Sequence, residues 1–335
     1  MFRRTLCMAA ALAAFAGPAM SQPDGWPNRP VRIVVPFAPG GSSDVVGRLV
    51  AEELSKALGQ PFVVENRAGA GGGVGTEFVA KAPADGYTLL VTGIGTNAIN
   101  HALSDRLGYD SNRDFAHITQ VVAGPVVLVT NPSFPARTLK ELVDHGKANP
   151  GKLSYATTHA SSGHLTMELF KQVASNCPPG AKPAACKPLY VVPIPYRGAG
   201  PAITDVAGGQ VPFMVVNQDT ALPLVQSGKL RALAVSSAQR NPLYPTVPTV
   251  AESGYPGFSA VAWVGLSAPR ATPKAILDRI ESELVKALKS PAVRTRIEST
   301  GFVVVASSQQ EYADLVRSET EKWTRVVKAA GIKAE

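Results

Sequence analysis

The hydrophobic pattern of the chain opens on a short continuous apolar run, Val31-Arg32-Ile33-Val34-Val35. A β-branched run of this length reads as a strand covered on both faces. Pro36 and Pro39 break it, because a proline nitrogen cannot donate to a ladder, and Gly40-Gly41 allows a tight turn. Apolar positions at Val45, Val46, Leu49, Val50, Leu54, Ala57 and Leu58 then recur near helical spacing, with Arg48, Glu52, Glu53 and Lys56 assigned to water. Ser42 or Ser43 is expected to cap this helix, and Asp44 falls in its first turn, where a negative charge suits the helix dipole. Strand, glycine turn and helix N-terminus together suit an anion. The same residues also describe an ordinary first β/α unit.

The alternation continues. Pro61–Asn66 and Tyr87–Thr92 read as strands, followed by the small stretches Arg67–Gly75 and Gly93–Asn97, with a helix through Glu77 to Lys81 and a fourth strand at Phe115 to Val122. A second set then runs strand Val126–Thr130, helix Leu139–Ala148, strand Leu153–Thr157 and helix Leu165–Ala174. It ends with a short strand Tyr190–Ile194, a helix, and strands Val211–Val216 and Leu230–Ser236. Helices Pro273–Leu288, with Ile276, Leu277, Ile280, Leu284 and Leu288 on one face, and Gln309–Ala330 are expected to pack back on the first set. Alternating strands and helices imply an α/β fold with ligand loops beyond the carboxyl ends of the strands. Two sets joined by two crossings imply two lobes with a hinge and a cleft.

Charge and targeting narrow the function. The 335 residues carry 33 Lys and Arg against 25 Asp and Glu, a net charge of +8. The basic residues are scattered with no basic-aromatic run, so no nucleic-acid partner is expected; a modest attraction for anionic solutes is. Arg3-Arg4, the apolar stretch Leu6 to Ala16 and Ala19-Met20-Ser21 read as a signal peptide over residues 1–21, cleaved before Gln22. The stretch is too short to span a bilayer, and Cys7 lies away from the cleavage point, against a lipid anchor. The mature protein is therefore expected to be exported and soluble in a bacterial periplasm. There Cys177 and Cys186, closing a proline-rich loop, read as a disulfide, while their spacing is not that of a Cys-x-x-Cys redox or metal pair.

Three groups of residues raise chemistry. Gly69 to Gly75 is out of register with G-x-G-x-x-G and no G-K-S/T occurs, which speaks against a nucleotide. His159, Ser161, Ser162 and His164 invite a hydrolase, but Ala160-Ser161-Ser162-Gly163 lacks the first glycine of a nucleophile elbow, and His164 with Glu168 supplies only two metal ligands. Thr157, Thr158, Ser161 and Ser162 read better as hydroxyl and amide donors at a helix N-terminus. Arg197, in Tyr196-Arg197-Gly198-Ala199-Gly200, could meet a carboxylate bidentately or simply be solvated. Asn217, Gln218 and Asp219 are expected to end a strand on the cleft side. No cofactor, metal or catalytic residue is assigned.

The chain resembles one family along nearly its whole length, the TctC-like or Bug periplasmic receptors of tripartite tricarboxylate transporters. The matching text includes Trp26-Pro27-Asn28-Arg29-Pro30-Val31-Arg32, Val35-Pro36-Phe37-Ala38-Pro39-Gly40-Gly41 with Asp44, and Gly59-Gln60-Pro61-Phe62-Val63-Val64-Glu65-Asn66-Arg67. It continues through Ala84-Asp85-Gly86-Tyr87-Thr88-Leu89-Leu90, Gly163-His164-Leu165, Gly208-Gly209-Gln210-Val211, Gly228-Lys229-Leu230-Arg231-Ala232-Leu233-Ala234-Val235 and Val247-Pro248-Thr249. The resemblance implies a type II, two-lobed "Venus flytrap", with one lobe formed by residues 22–123 and 260–335 and the other by 124–259. It implies capture of a small organic mono- or dicarboxylate or related anion by a monomer that serves membrane transporter subunits or a sensor protein.

Carried over, the ligand loops are Phe37, Ala38, Pro39, Gly40, Gly41, Ser42 and Ser43; Thr96 and Asn97; and Thr157, Thr158, Ser161 and Ser162. The family grips a carboxylate there largely through backbone amides and water. Arg197, Asn217 and Asp219 join this set from the reading of the residues. Two departures stand out: the Cys177–Cys186 loop looks like an insertion, and Val216 stands where the family often has an acidic residue, which weakens the case for an amino-acid ligand.

Overall fold

In the computed structural model, which describes residues 25–103, 107–159, 161–175 and 187–330, the run Val31–Val35 is strand β1, and every residue of it but Arg32 is buried. Residues 1–21, read from the sequence as a signal peptide, and both Cys177 and Cys186 lie outside the described residues. β1 pairs in parallel with β2 (Phe62–Asn66) and β3 (Thr88–Gly93). β3 pairs antiparallel with β9 (Val261–Pro269), which pairs antiparallel with β4 (Phe115–Thr130).

β4 is one strand of 16 residues where the pattern reads two. Gly124-Pro125 looks like a break, but it marks the place where the strand changes partners. Up to Pro125 it pairs with β9; from Val126 on it pairs with β7 (Phe213–Asn217) and β8 (Arg231–Val235). β5 (Ser154–Thr158) lies parallel between β7 and β6 (Val192–Tyr196), completing a second sheet. A two-residue strand β10 (Val303–Val304) pairs with β4 in the first.

Helices cover both sheets. α1 (Ser42–Leu58) and α8 (Lys274–Lys289) bury Val46, Leu54, Ile280 and Leu284 against Ile33, Leu89 and Leu266. Each such fully buried aliphatic contributes about 1.5–3 kcal/mol. α2 (Gly73–Ala80), α3 (Asn100–Leu103) and α9 (Pro291–Glu298) complete the first lobe, and α10 (Gln309–Ala330) packs Tyr312, Val316, Trp323 and Val327 on Ile94 and Ile99. In the second lobe, α4 (Leu139–Ala148) and α5 (Ser162–Ser175) cover one sheet face, and α6 (Ala199–Ala207) and α7 (Gln218–Gln226) the other. The result is a two-lobed α/β architecture.

Several local expectations shift. Gly41, not a serine, is the N-cap of α1, and it makes no side-chain cap bond. Val45 is 47% exposed, whereas Glu53 is only 9% exposed. The buried stripe runs through Val46, Leu49, Val50 and Leu54, so Glu53 lies on it with its stem covered and its carboxylate on Lys56 at 2.8 Å. Gln218 and Asp219 do not end a strand; they open α7, since β7 stops at Asn217.

His117 on β4 is buried between the sheet and α10. Its Nε2 lies 3.0 Å from the Ser111 carbonyl, an acceptor, so Nε2 carries the proton and Nδ1 accepts from Ser267 Oγ at 3.0 Å. Burial, with Arg270 nearby, pushes its pKa down to about 4 against the hydrogen bond to Ser111. The folded state therefore rejects a proton that the unfolded chain accepts below about 6.5. Stability from this group is full above that pH and is lost as pH falls through about 4. His117→Gln is expected to remove on the order of 3 kcal/mol of the acid-induced loss between these limits, read from urea unfolding at several pH values.

Candidate functional site

Four helices begin at one cleft between the lobes. The residues Gly41–Asp44 at the start of α1, Ser161 and Ser162 at α5, Ala199 at α6 and Asn217 at α7 all line a single recess. Each follows the carboxyl end of a strand, β1, β5, β6 and β7 respectively. The caps Gly41, Gly198 and Asn217 make no side-chain bond into their helices. The opening amides of α1 and α6 are thus left without a side-chain acceptor, and all four helices turn the positive ends of their dipoles towards the recess. The rest of the wall is apolar, with Phe37, Ile94, Trp263 and Val264.

Two buried donors at this recess are orphaned. Trp263 is 4% exposed and Thr158 6% exposed, and neither the indole Nε1–H nor the Thr158 hydroxyl has a hydrogen-bond partner. Unpaired buried polar groups are costly, and they collect where something else is meant to meet them.

The loop after β1 is held by one carboxylate. Asp44 Oδ2 accepts from the Gly40 amide at 3.1 Å and from Arg48 Nε at 3.0 Å. Its Oδ1 accepts from Arg48 at 2.9 Å and from Asn66 Nδ2 at 2.9 Å. Asn66 also donates to the Phe37 carbonyl at 3.0 Å, so both ends of the turn are tied to one buried cluster. Burial works to raise the Asp44 pKa, but the bonds from Arg48, Asn66 and Gly40 outweigh it and hold the carboxyl below its ordinary value.

The same loop meets the second lobe directly. The Ala38 amide donates to the Arg197 carbonyl at 3.3 Å, and Ser42 Oγ donates to Asp219 Oδ1 at 2.6 Å. Burial pushes the Asp219 carboxyl up to about 6, against the hydrogen bonds from Ser42 and the α7 amides. Gly200 faces Pro39 so closely that a Cβ there would stand 2.3 Å from the Pro39 oxygen. Only glycine permits this contact.

A family model for the tripartite tricarboxylate transporter family receptor, TctC, matches residues 46–332. The chain belongs to this family. The BugT protein of Bordetella pertussis is 38% identical over 325 residues, 96% of this chain and 95% of its own. Among solved structures, Rpa4515 of R. palustris with adipate is 33% identical at a TM-score of 0.86, covering 92% of this chain and 99% of that one. MatC from Rhodopseudomonas palustris with bound malate is 34% identical at a TM-score of 0.83, covering 90% and 100%. Family and neighbours are periplasmic binding proteins of two lobes, and no helix among the described residues of this receptor is long and apolar enough to cross a membrane.

The residues singled out in the sequence of this TctC-family receptor fall into four places. Phe37, Ala38, Gly41, Ser42, Ser43, Thr158, Ser161, Ser162 and Asn217 line the recess. Arg197 lines an adjoining one with Thr158. Pro39 and Gly40 lie at the lobe contact, and Asp219 behind it. Thr157, Thr96 and Asn97 do not line the cleft: Thr157 is buried in β5, and the other two are fully buried in a π-helical turn, Gly95–Ile99, which Thr320 of α10 covers by donating to the Asn97 carbonyl at 3.1 Å. The sequence reading missed Ile94, Trp263 and Val264. Ile94 lies within the stretch Gly93–Asn97, read as small and polar, and β9 carried no recognised signal.

Asp44→Ala leaves the Gly40 amide and Asn66 without their acceptor and Arg48 without its partner. It is expected to lower unfolding stability by about 2–4 kcal/mol in urea titrations and to weaken ligand binding beyond what Arg48→Ala does.

Proposed function

We propose that this receptor captures a small carboxylate-bearing solute in the periplasm and presents it to the membrane subunits of a tripartite tricarboxylate-type transporter, without catalysing a reaction on it. The observation that carries the reading is the convergence of four helix N-termini on a recess that also holds the orphaned Trp263 and Thr158 donors. Such a cradle gives a carboxylate its strongest partners in a site with no lysine or arginine in its wall. The adipate and malate in the Rpa4515 and MatC structures are acids of the class proposed.

In this reading residues 22–123 and 260–335 move as one body against residues 124–259, with β4 and β9 as the connections. A ligand held by both bodies favours the closed form by its contacts with it. The serine hydroxyls have work other than nucleophilic attack. Ser162 Oγ donates to Asn217 Oδ1 at 2.6 Å, and Ser161 Oγ accepts from the His164 amide at 3.2 Å. The His164 imidazole is buried, which pushes its pKa down to about 4 and leaves a weak base. These features support capture without turnover.

The test is native mass spectrometry of the purified protein before and after denaturation, followed by thermal shifts with a panel of carboxylic acids and their amides. An acid is expected to leave on unfolding and, added back at a hundredfold excess over Kd, to stabilise by about 2.7 kcal/mol. Its amide should do nothing. A panel in which no acid raises the Tm, or in which an ester is hydrolysed, overturns the proposal.

A further inference from the structure

We infer that Gln218, which lines neither recess of the cleft, is a strut between the lobes that sets the receptor's affinity for every ligand by one common factor. This rests on the proposal that the lobes close over a bound acid. Gln218 opens α7 and is fully buried. Its Nε2 donates to the Gly301 carbonyl, in the loop between α9 and β10 of the first lobe, and its Oε1 accepts from Asn241 Nδ2 of the second. A carbonyl only accepts, so Gly301 fixes which end of the amide faces it, and Asn241 meets the other end.

The second lobe holds this residue from two sides. The Tyr244 hydroxyl donates to the Gln218 carbonyl at 2.8 Å, and Asn241 Oδ1 is itself engaged by the Leu243 amide at 2.8 Å. The facing side is shaped to admit the side chain. Gly301 has φ of +89°, and a Cβ there would stand 2.7 Å from Gln218 Cδ. A Cβ at Gly124, where β4 changes sheets, would stand 2.8 Å from Gln218 Nε2. Two glycines thus make a socket for one amide at the joint between the lobes.

The strut is coupled to the ligand because it shares the start of α7 with the cleft. Asn217, one residue before it, lines the inner recess and accepts from Ser162 Oγ at 2.6 Å. Asp219, one residue after it, accepts from Ser42 Oγ of the first lobe at 2.6 Å. Three successive residues therefore meet the ligand recess, the joint and the opposite lobe. Parting of the lobes draws Gln218 from its socket and leaves the Gly301 carbonyl to water. The bond stabilises the closed form whatever acid lies in the recess, and the apparent affinity of each acid scales with the closed fraction.

Isothermal titration of the full mature chain with malate, adipate and every other acid of the panel that raises the Tm tests this. Gln218→Met, which keeps the length and removes the amide, is expected to weaken each acid by the same factor, about fivefold to thirtyfold, the range for a buried hydrogen-bond partner lost. Asn241→Asp keeps the acceptor for the Leu243 amide but sets an oxygen against Gln218 Oε1, so the amide must turn and oppose the Gly301 carbonyl with its own oxygen. It should weaken the same acids by a common factor too. That effect should vanish in the Gln218→Met background, which a merely structural defect at Asn241 would not do. Should Gln218→Met not fold, Asn241→Asp alone gives the common factor. Affinities unchanged in both variants, losses that reorder the acids, or an Asn241→Asp loss that persists in the Gln218→Met background overturn the inference alone. A native receptor that binds no acid of the panel overturns the carboxylate reading and this inference with it.

Discussion

Like ends of helices repel, and this receptor gathers four of them. The starts of α1, α5, α6 and α7 share one recess, each bringing partial positive charge into a wall that is otherwise apolar. The chain offsets part of this with acidic residues in the first turns of α1 and α7, Asp44 and Asp219. Neither is spent freely. Asp44 is bound up with Arg48, Asn66 and Gly40, and Asp219 is buried far enough that its carboxyl titrates at about 6. The remaining potential is what an incoming anion neutralises, and it exists only while the two lobes stand where they do.

That placement depends on β4 and β9. β4 gives half its length to each sheet, and β9 runs beside it as far as Val261. In the proposed two-body motion, bending at these two neighbouring strands is what would let the loops at the far side of the cleft meet or part. Where they meet, the contact is mostly backbone. Ala38 bonds to Arg197, and Gly200 lies against Pro39 with no side chain between them. Small residues here permit the close approach, and Ser42 to Asp219 adds one directional bond.

The legible parts of the sequence were those whose physics is local. The β-branched run of β1, the proline-glycine turn and the start of α1 follow one another within about a dozen positions, and the strand–turn–helix order could be read from them. Ser161 and Ser162 were legible for the same reason. What stayed hidden depends on distant partners. β9 contains Gly265, Ser267 and Pro269, which suggest no strand, yet β3 and β4 flank it and bury all but its first residue. Trp263 was lost with it. Pro223 disguised α7, so Gln218 and Asp219 passed for the end of β7. Thr96 and Asn97 resembled ligand donors until α10, more than two hundred positions away, covered them.

The central claim is that an anion draws the lobes together over these helix ends. Small-angle X-ray scattering of the native receptor and of Gly200→Ala, each with and without the acid that raises the Tm most, tests it directly. The native protein should contract on binding, and the variant, whose added methyl meets the Pro39 oxygen in the closed form, should bind more weakly and contract less. Equal contraction in both, or a bound native protein whose dimensions do not change, would contradict the account.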